Sequence, residues 1–217
     1  MSAARDGGVR TDRVSATRGR ILNTAERLFA ERGVFSVSNR QVSVAAGQGN
    51  NTAVGYHFGD KLDLVSAIVR RHFGPLEQRR ESLVARAGES TDIRDWVGCL
   101  VLPMTAHLDA LEDPTWFARF NAQLTTDPAL RALIVEEAST TSVREVVDRI
   151  RRCSPDLPDD VRAERHDMAR NLITHICAER ERALADGTPS RRPTWAATGA
   201  GLIDAIVAIW QAPVTET

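Results

Sequence analysis

The sequence predicts an all-α protein in which a small three-helix head at the N-terminal side precedes a larger helical body. Three observations carry this. Apolar residues recur at three- and four-residue intervals along most of the chain, and no segment alternates with the two-residue period of a half-buried strand. The apolar stripes are also punctuated by capping residues at their starts and by glycine or proline between them. At 217 residues, 42% of them hydrophobic, the chain is long enough to bury a substantial core.

Ile21, Leu22, Ala25, Leu28 and Phe29 form one stripe of an amphipathic helix from Thr17 to Arg32, and Gly33 stops it. Residues 1–14 show no such stripe and are expected to form a flexible basic tail. Ser38-Asn39-Arg40-Gln41 has the form of a capping box, opening a very short helix through Val42 and Ala45 that ends at Gly47. Gln48-Gly49-Asn50 follows as a turn. Asn50 is the expected N-cap of a third short helix through Asn51, Thr52, Val54 and Tyr56, closing near Phe58-Gly59. Asp60 caps the next helix, whose stripe is Leu62, Val65, Ile68, Val69, His72 and Phe73; Gly74-Pro75 is expected to bend or interrupt it.

Longer helices follow. Ile93 to Leu111 keeps its spacing well, with a kink expected at Pro103. Asp113-Pro114 and Asp127-Pro128 have the form of an N-cap followed by an N1 proline. They are expected to start a short aromatic helix and one long helix that ends near Arg152. Another helix is expected from about Asp160 to Ala185 and a last one from about Thr194 to Gln211. There is no internal repeat.

The net charge of −1 hides an asymmetry. Residues 1–80 carry 13 basic and 7 acidic side chains, a balance of +6, whereas residues 81–217 carry 15 and 22, a balance of −7. A basic head on an acidic body suits a module for a polyanion joined to a part with another task. No apolar run approaches the roughly 18 residues of a membrane-spanning helix. Residues 1–20 are polar and Arg-rich, unlike a secretory signal. Cys99, Cys153 and Cys177 are odd in number and widely spaced, which is the pattern of reduced thiols in a cytoplasmic protein. His166 and His175 are spaced wrongly for a helical metal pair. Nucleophile-elbow, phosphate-loop and dinucleotide patterns are missing, so no catalytic residue, metal or cofactor is expected.

The layout from Thr17 to Lys61, one ordinary helix and two of about two turns around a glycine-containing turn, is that of a helix-turn-helix. Such short helices are held only by packing, here through Ile21, Ala25, Leu28, Phe29, Val42, Ala45, Val54 and Phe58. Packed so, the third helix offers its N-terminal end to a major groove. Asn50, Asn51 and Thr52 are suited to base edges, and Arg40 and Gln41 to an adjacent base or phosphate. Tyr56 and His57 suit phosphate oxygens, and Lys61 is expected to reinforce an anion site at the helix start after Asp60. Arg10, Arg13, Arg18 and Arg20 extend the basic surface.

Thr17-Arg-Gly-Arg-Ile-Leu-Asn-Thr-Ala-Glu-Arg-Leu-Phe-Ala-Glu-Arg-Gly33 and Tyr56-His-Phe-Gly-Asp-Lys61 resemble the N-terminal signature of the TetR family of transcriptional regulators, and the resemblance covers about residues 17–70. The step from Gly47 to Phe58 is one residue longer than in most members, as in a subset rich in Gln and Asn at this turn. Gly55 stands where an aromatic phosphate contact is usual, and Tyr56 is the neighbouring aromatic. The resemblance implies a homodimer whose C-terminal helices hold an effector pocket and the dimer interface. Effector binding there changes the separation of two DNA-reading heads and releases the operator. The division that results is a tail over 1–14, a DNA-binding head over 15–60 and a ligand-binding and dimerisation domain over 61–217.

Within the body, the segment from Gly199 to Trp210 is apolar all round apart from Asp204. Such a helix is buried on more than one side, either centrally in its own core or against a second subunit. The dimer-interface expectation is Met168, Ile173 and Ile176 with Leu202, Ile206, Ile209 and Trp210. A pocket expectation gathers Trp96, Leu100, Met104, His107, Trp116, Phe117, Phe120, Met168, Leu172 and His175. For any one of these a place in the packed core is the simpler role; together, beside Pro103, they suit a mostly apolar effector cavity. The expected protein is a ligand-responsive dimeric repressor of a pseudo-palindromic double-stranded DNA operator, released by a hydrophobic small molecule. The competing readings are a helical enzyme or small-molecule carrier with a basic head, and a DNA-binding regulator controlled by a protein partner.

Overall fold

A computed structural model describes residues 3–49, 52–189 and 192–215, and of residues 3–13 the backbone alone. Among the described residues there are ten helices and no strand. The head consists of α1 (Ala3–Arg32), α2 (Asn39–Ala45) and α3 (Ala53–Phe58). The body follows with α4 (Lys61–Ala87), α5 (Ile93–Asp109), α6 (Phe117–Leu124), α7 (Pro128–Ala138), α8 (Thr141–Cys153), α9 (Asp159–Ala185) and α10 (Trp195–Gln211). α5 lies at the centre of the body against α4, α8 and α10, and α6 is wedged between α1 and α9.

The local signals locate most boundaries. Ser38 and Gln41 form a reciprocal capping box, with Ser38 Oγ accepting from the Gln41 amide at 3.2 Å and Gln41 Oε1 from the Ser38 amide at 2.8 Å. Asp60 and Asp63 do the same for α4. Gly33 and Gly47 follow α1 and α2 with φ of 87° and 67°, a region that favours residues without a Cβ.

Several expectations fail; Asp113-Pro114, for one, does not start a helix, since α6 begins at Phe117 with Trp116 as its N-cap residue. α1 begins at Ala3, so residues 3–14 continue the helix instead of forming a tail; alanine and arginine favour helix even without an apolar stripe. Pro75 does not interrupt α4, because Val69, His72 and Leu76 are buried on both sides of it and outweigh the hydrogen bond that proline forfeits. The single helix expected from Pro128 to Arg152 is two helices. The hydroxyl run Ser139-Thr140-Thr141-Ser142 competes for the backbone: Ser139 Oγ donates to the Val135 carbonyl and Thr140 Oγ1 caps α8 through the Val143 amide.

Charged side chains of α9 fix the neighbouring helices. Arg165, buried, donates to the Trp210 and Ala212 carbonyls at the C-terminal end of α10, at 3.0 and 2.7 Å. At the other end, Arg180 donates to the Pro193 carbonyl at 2.9 Å and lies over the Trp195 ring. Glu181, 1% exposed, accepts from the Ala118 and Arg119 amides that begin α6 and from Arg119 Nε. Two backbone donors and a guanidinium thus depend on one carboxylate. Glu181→Ala is expected to lower stability by about 3–5 kcal/mol, read from the midpoint of urea unfolding. Glu89→Ala, which removes the exposed partner of Arg149, is expected to leave the midpoint in place.

Candidate nucleic-acid interface and internal cavity

The head is assembled on Ile21, Ala25, Leu28, Phe29, Val42 and Val54, all buried. Ser43 adds a polar pin that the sequence reading missed: it is fully buried, and its Oγ accepts from the Val54 amide at 3.4 Å, joining α2 to α3. α3 therefore turns Val54 inward and Gly55 and Tyr56 outward, Tyr56 being 83% exposed. Thr52 is the N-cap residue, so the helix starts two positions later than an Asn50 cap requires. Asn50 and Asn51 lie outside the described residues.

The other expected contact residues divide into available and committed groups. Arg40 is exposed on α2. Gln41 is exposed too, but its Oε1 is held by the capping box. His57 is half-buried, edge-on to Tyr56 with ring centroids 5.0 Å apart, and its carbonyl accepts from Arg18, whose guanidinium lies 4.3 Å from the Phe58 centroid. Arg18 thus ties α3 to α1. Lys61 Nζ donates to the Val34 carbonyl at 3.2 Å and lies over Phe35, and partial burial lowers its pKa. At the start of α4, where the anion site is expected, the carboxylates of Asp60 and Asp63 accept from each other's amides. The side chains of Arg10 and Arg13 lie outside the described residues, and Arg20 is exposed. Phe35 and Val44, both 60% exposed, are apolar surface on the head that no periodic pattern in the sequence singles out.

Behind the head, Asn23 and Glu26 of α1, Arg71 and His72 of α4, His107 of α5 and, before α6, Leu111, Glu112 and Pro114 to Trp116 line a half-open cavity of about 320 Å³. Its wall is a continuous polar chain. His72 Nε2 lies 2.8 Å from Glu26 Oε2, and His72 Nδ1 lies 2.8 Å from His107 Nε2. Arg71 reaches the same Glu26 oxygen and donates to Asn23 Oδ1 at 2.5 Å. Phe117 stacks on His72 with centroids 3.9 Å apart. Burial, and after it His72, pushes the His107 pKa down to about 4. His107 is therefore neutral near pH 7, carrying one ring proton.

The residues expected around one apolar pocket are dispersed. His107 and Trp116 line this cavity and Phe117 lies behind it. Phe120 stacks on Phe29 of α1 in the core. Trp96 is fully buried, donating to the Ser90 carbonyl at 2.9 Å beneath the Arg149 guanidinium. Leu100 and Met104 pack against the core, and Met104 borders a separate void of about 80 Å³. On α9, Met168 and His175 are exposed and Leu172 is half-buried. The cavity sets the apolar surface of Leu111, Pro114 and Trp116 beside the chain of Glu26, His72 and His107.

The expected dimer residues also separate. Leu202, Ile206 and Trp210 are buried within the protomer, on a helix that packs against α5 and α9. There Gly199 permits close approach: a Cβ on it would stand 3.0 Å from Thr105 Oγ1. Met168 and Ile176 remain exposed, and Ile173 and Ile209 half-buried. Burial pushes the Cys99 and Cys177 thiols up to about 11 and about 12, as befits core residues.

This arrangement, a helix-turn-helix head joined to an α-helical body with an internal cavity, defines a class, and the comparisons agree with it. Residues 98–208, half of the chain, match the family described as tetracyclin repressor-like, C-terminal domain, and the chain belongs to the TetR family. It is 36% identical over 84 residues to the HTH-type transcriptional regulator TtgR of Pseudomonas putida, covering 39% of this chain and 37% of that protein. It is 30% identical over 131 residues to the HTH-type transcriptional repressor AcnR of Corynebacterium glutamicum, covering 59% of this chain and 61% of that one. The matches thus span less than two thirds of either relative. Among solved structures, a TetR-family regulator from Shewanella sp. PV-4 is similar at a TM-score of 0.58 and 18% identity, covering 89% of this chain and 96% of that one. The multidrug binding protein EbrR, complexed with imidazole, is similar at 0.51 and 17%, covering 91% and 97%.

The His107 environment has a measurable consequence. Between pH 6.5 and about 4 the unfolded chain binds a proton that folded His107 refuses, so stability is complete above 6.5 and declines as pH falls through this window. The loss reaches about 3 kcal/mol at the acid end. His107→Gln has nothing to titrate there. Urea midpoints measured across the window should therefore fall less steeply with acidification for His107→Gln than for the parent protein.

Proposed function

We propose that the chain is a ligand-responsive repressor that binds a pseudo-palindromic DNA operator as a homodimer, with α3 in the major groove. The observation that carries this reading is the presentation of α3: a six-residue helix fixed from behind by Val54 and Ser43, with Tyr56 almost wholly exposed in front. In this reading residues 15–60 act as the DNA-binding head and residues 61–217 hold the effector and dimer surfaces. Thr52, Asn50 and Asn51 read base edges, while Arg40, Tyr56 and His57 meet phosphates. Lys61 acts by holding the turn before α2 in place. The two copies meet through the outer side of α9, where Met168 and Ile176 are exposed, together with the exposed side of α10. The descriptions of TtgR and AcnR as transcriptional regulators support regulation over catalysis.

The cavity behind α1 favours a small molecule over a protein partner as the controlling signal. Its wall includes Asn23 and Glu26 from the helix that carries the head, so a guest meets the head directly. No helix among the described residues is long and apolar enough to cross a membrane, which agrees with action on DNA inside the cell.

Selection from random duplexes followed by fluorescence anisotropy tests the reading. Operator affinity is expected to fall by about a thousandfold between roughly 50 and 200 mM salt. Tyr56→Ala is expected to weaken the selected operator by about tenfold, the loss of one hydrogen bond to a charged phosphate. Binding that ignores salt and survives Tyr56→Ala would remove α3 from the interface.

A further inference from the structure

The cavity behind α1 has a chemical preference that can be read from its wall. Two carboxylates, Glu26 and Glu112, face one guanidinium, Arg71. That guanidinium is already engaged, one terminal nitrogen with Asn23 and the other with Glu26. An anionic guest would find the lining guanidinium taken, although Arg79 adds a further positive charge near His107. The hydrogen-bonding inventory points the same way. Both Arg71 and His72 contact Glu26 at Oε2, which leaves Oε1 as a second acceptor on a side chain that is almost wholly buried.

The histidines add an acceptor. His107 Nε2 is engaged with His72 Nδ1, and with the proton of that bond on His107 its Nδ1 carries a lone pair. His107, whose pKa lies far below neutrality, keeps that lone pair at physiological pH. The opposite wall, Leu111, Pro114 and the half-buried Trp116, is apolar and includes an indole whose face attracts cations. A volume of about 320 Å³ is at the small end of ligand cavities and suits a compact guest.

We propose that this cavity binds a small organic monocation, a protonated amine on a compact aromatic body, with its N–H groups on Glu26 and His107 and its ring against Trp116. This inference deepens the repressor reading and rests on it for its regulatory meaning. Glu26 is the α1 end of the bonds that tie the head to α4. A cation that shares this carboxylate weakens the hold of Arg71 and His72 on α1, so occupancy loosens the head and lowers operator affinity.

Three isosteric probes separate the charge classes: benzylammonium, benzyl alcohol and benzoate. Thermal unfolding of the intact chain should show a saturable rise in Tm with benzylammonium and, at equal concentrations, smaller rises with the other two. Glu26→Gln keeps a hydrogen-bonding side chain without the charge and should weaken benzylammonium by about tenfold or more. Glu112→Gln, at an exposed position, gives a second reading that does not disturb the core and should weaken it less. Glu89→Gln, outside the cavity, should leave binding unchanged. Equal or tighter binding of benzoate or benzyl alcohol, benzylammonium binding that both cavity variants leave intact, or no saturable shift with any probe would each overturn the proposal. Operator affinity without probe is measured in parallel. Its failure alone sinks the repressor reading, whereas operator binding without cation preference sinks only this inference.

Discussion

A carboxylate that is almost wholly buried between helices must be paired, and in this protein Glu26 makes that requirement into the joint between head and body. It sits on α1, the helix on which α2 and α3 are packed, and its partners Arg71 and His72 sit on α4. His107 extends the chain into α5, and Phe117 closes over His72 from α6. Three helices therefore converge on one set of hydrogen bonds, and a fourth covers it with a ring stack. Moving α1 without breaking them means moving α4 as well.

The body reinforces this from the other side. Glu181 of α9 holds the first turn of α6, and Phe120 on that helix stacks on Phe29 of α1. The same α9 grips both ends of α10 through Arg165 and Arg180. A change at the outer side of α9, where a second subunit is proposed to lie, has a short physical path to α1 through a charged cap and a ring stack. The cavity adjoins that path at Trp116, the residue that precedes α6.

How much of this was legible in the sequence follows from range. Ser38 with Gln41, Asp60 with its helix, Gly33 and Gly47 act within a few residues of themselves, and they marked the head's helices without any tertiary information. The resemblance to TetR regulators covered the same region. What stayed hidden depends on partners brought together by folding. His72 was placed on the apolar stripe of its helix correctly, yet its partners lie 46 and 35 residues away in sequence, so a stripe could not reveal a polar chain. The all-apolar α10 posed a different problem: its composition says that it is buried on several sides but not which side meets α5, and Leu202, Ile206 and Trp210 proved to face inward. Between α7 and α8 the misleading signal was local. The apolar spacing continues, while four consecutive hydroxyl side chains capture the backbone and end the helix.

The central claim is that the Glu26 cluster fixes α1, and with it α2 and α3, to the body. Native-state hydrogen exchange on the parent protein and on Glu26→Gln tests it most directly. The account predicts that amides from Ile21 to Phe29 and those of α2 and α3 lose protection together in the variant, while α9 and α10 keep theirs. Uniform loss across all helices, or unchanged protection in α1, would contradict it.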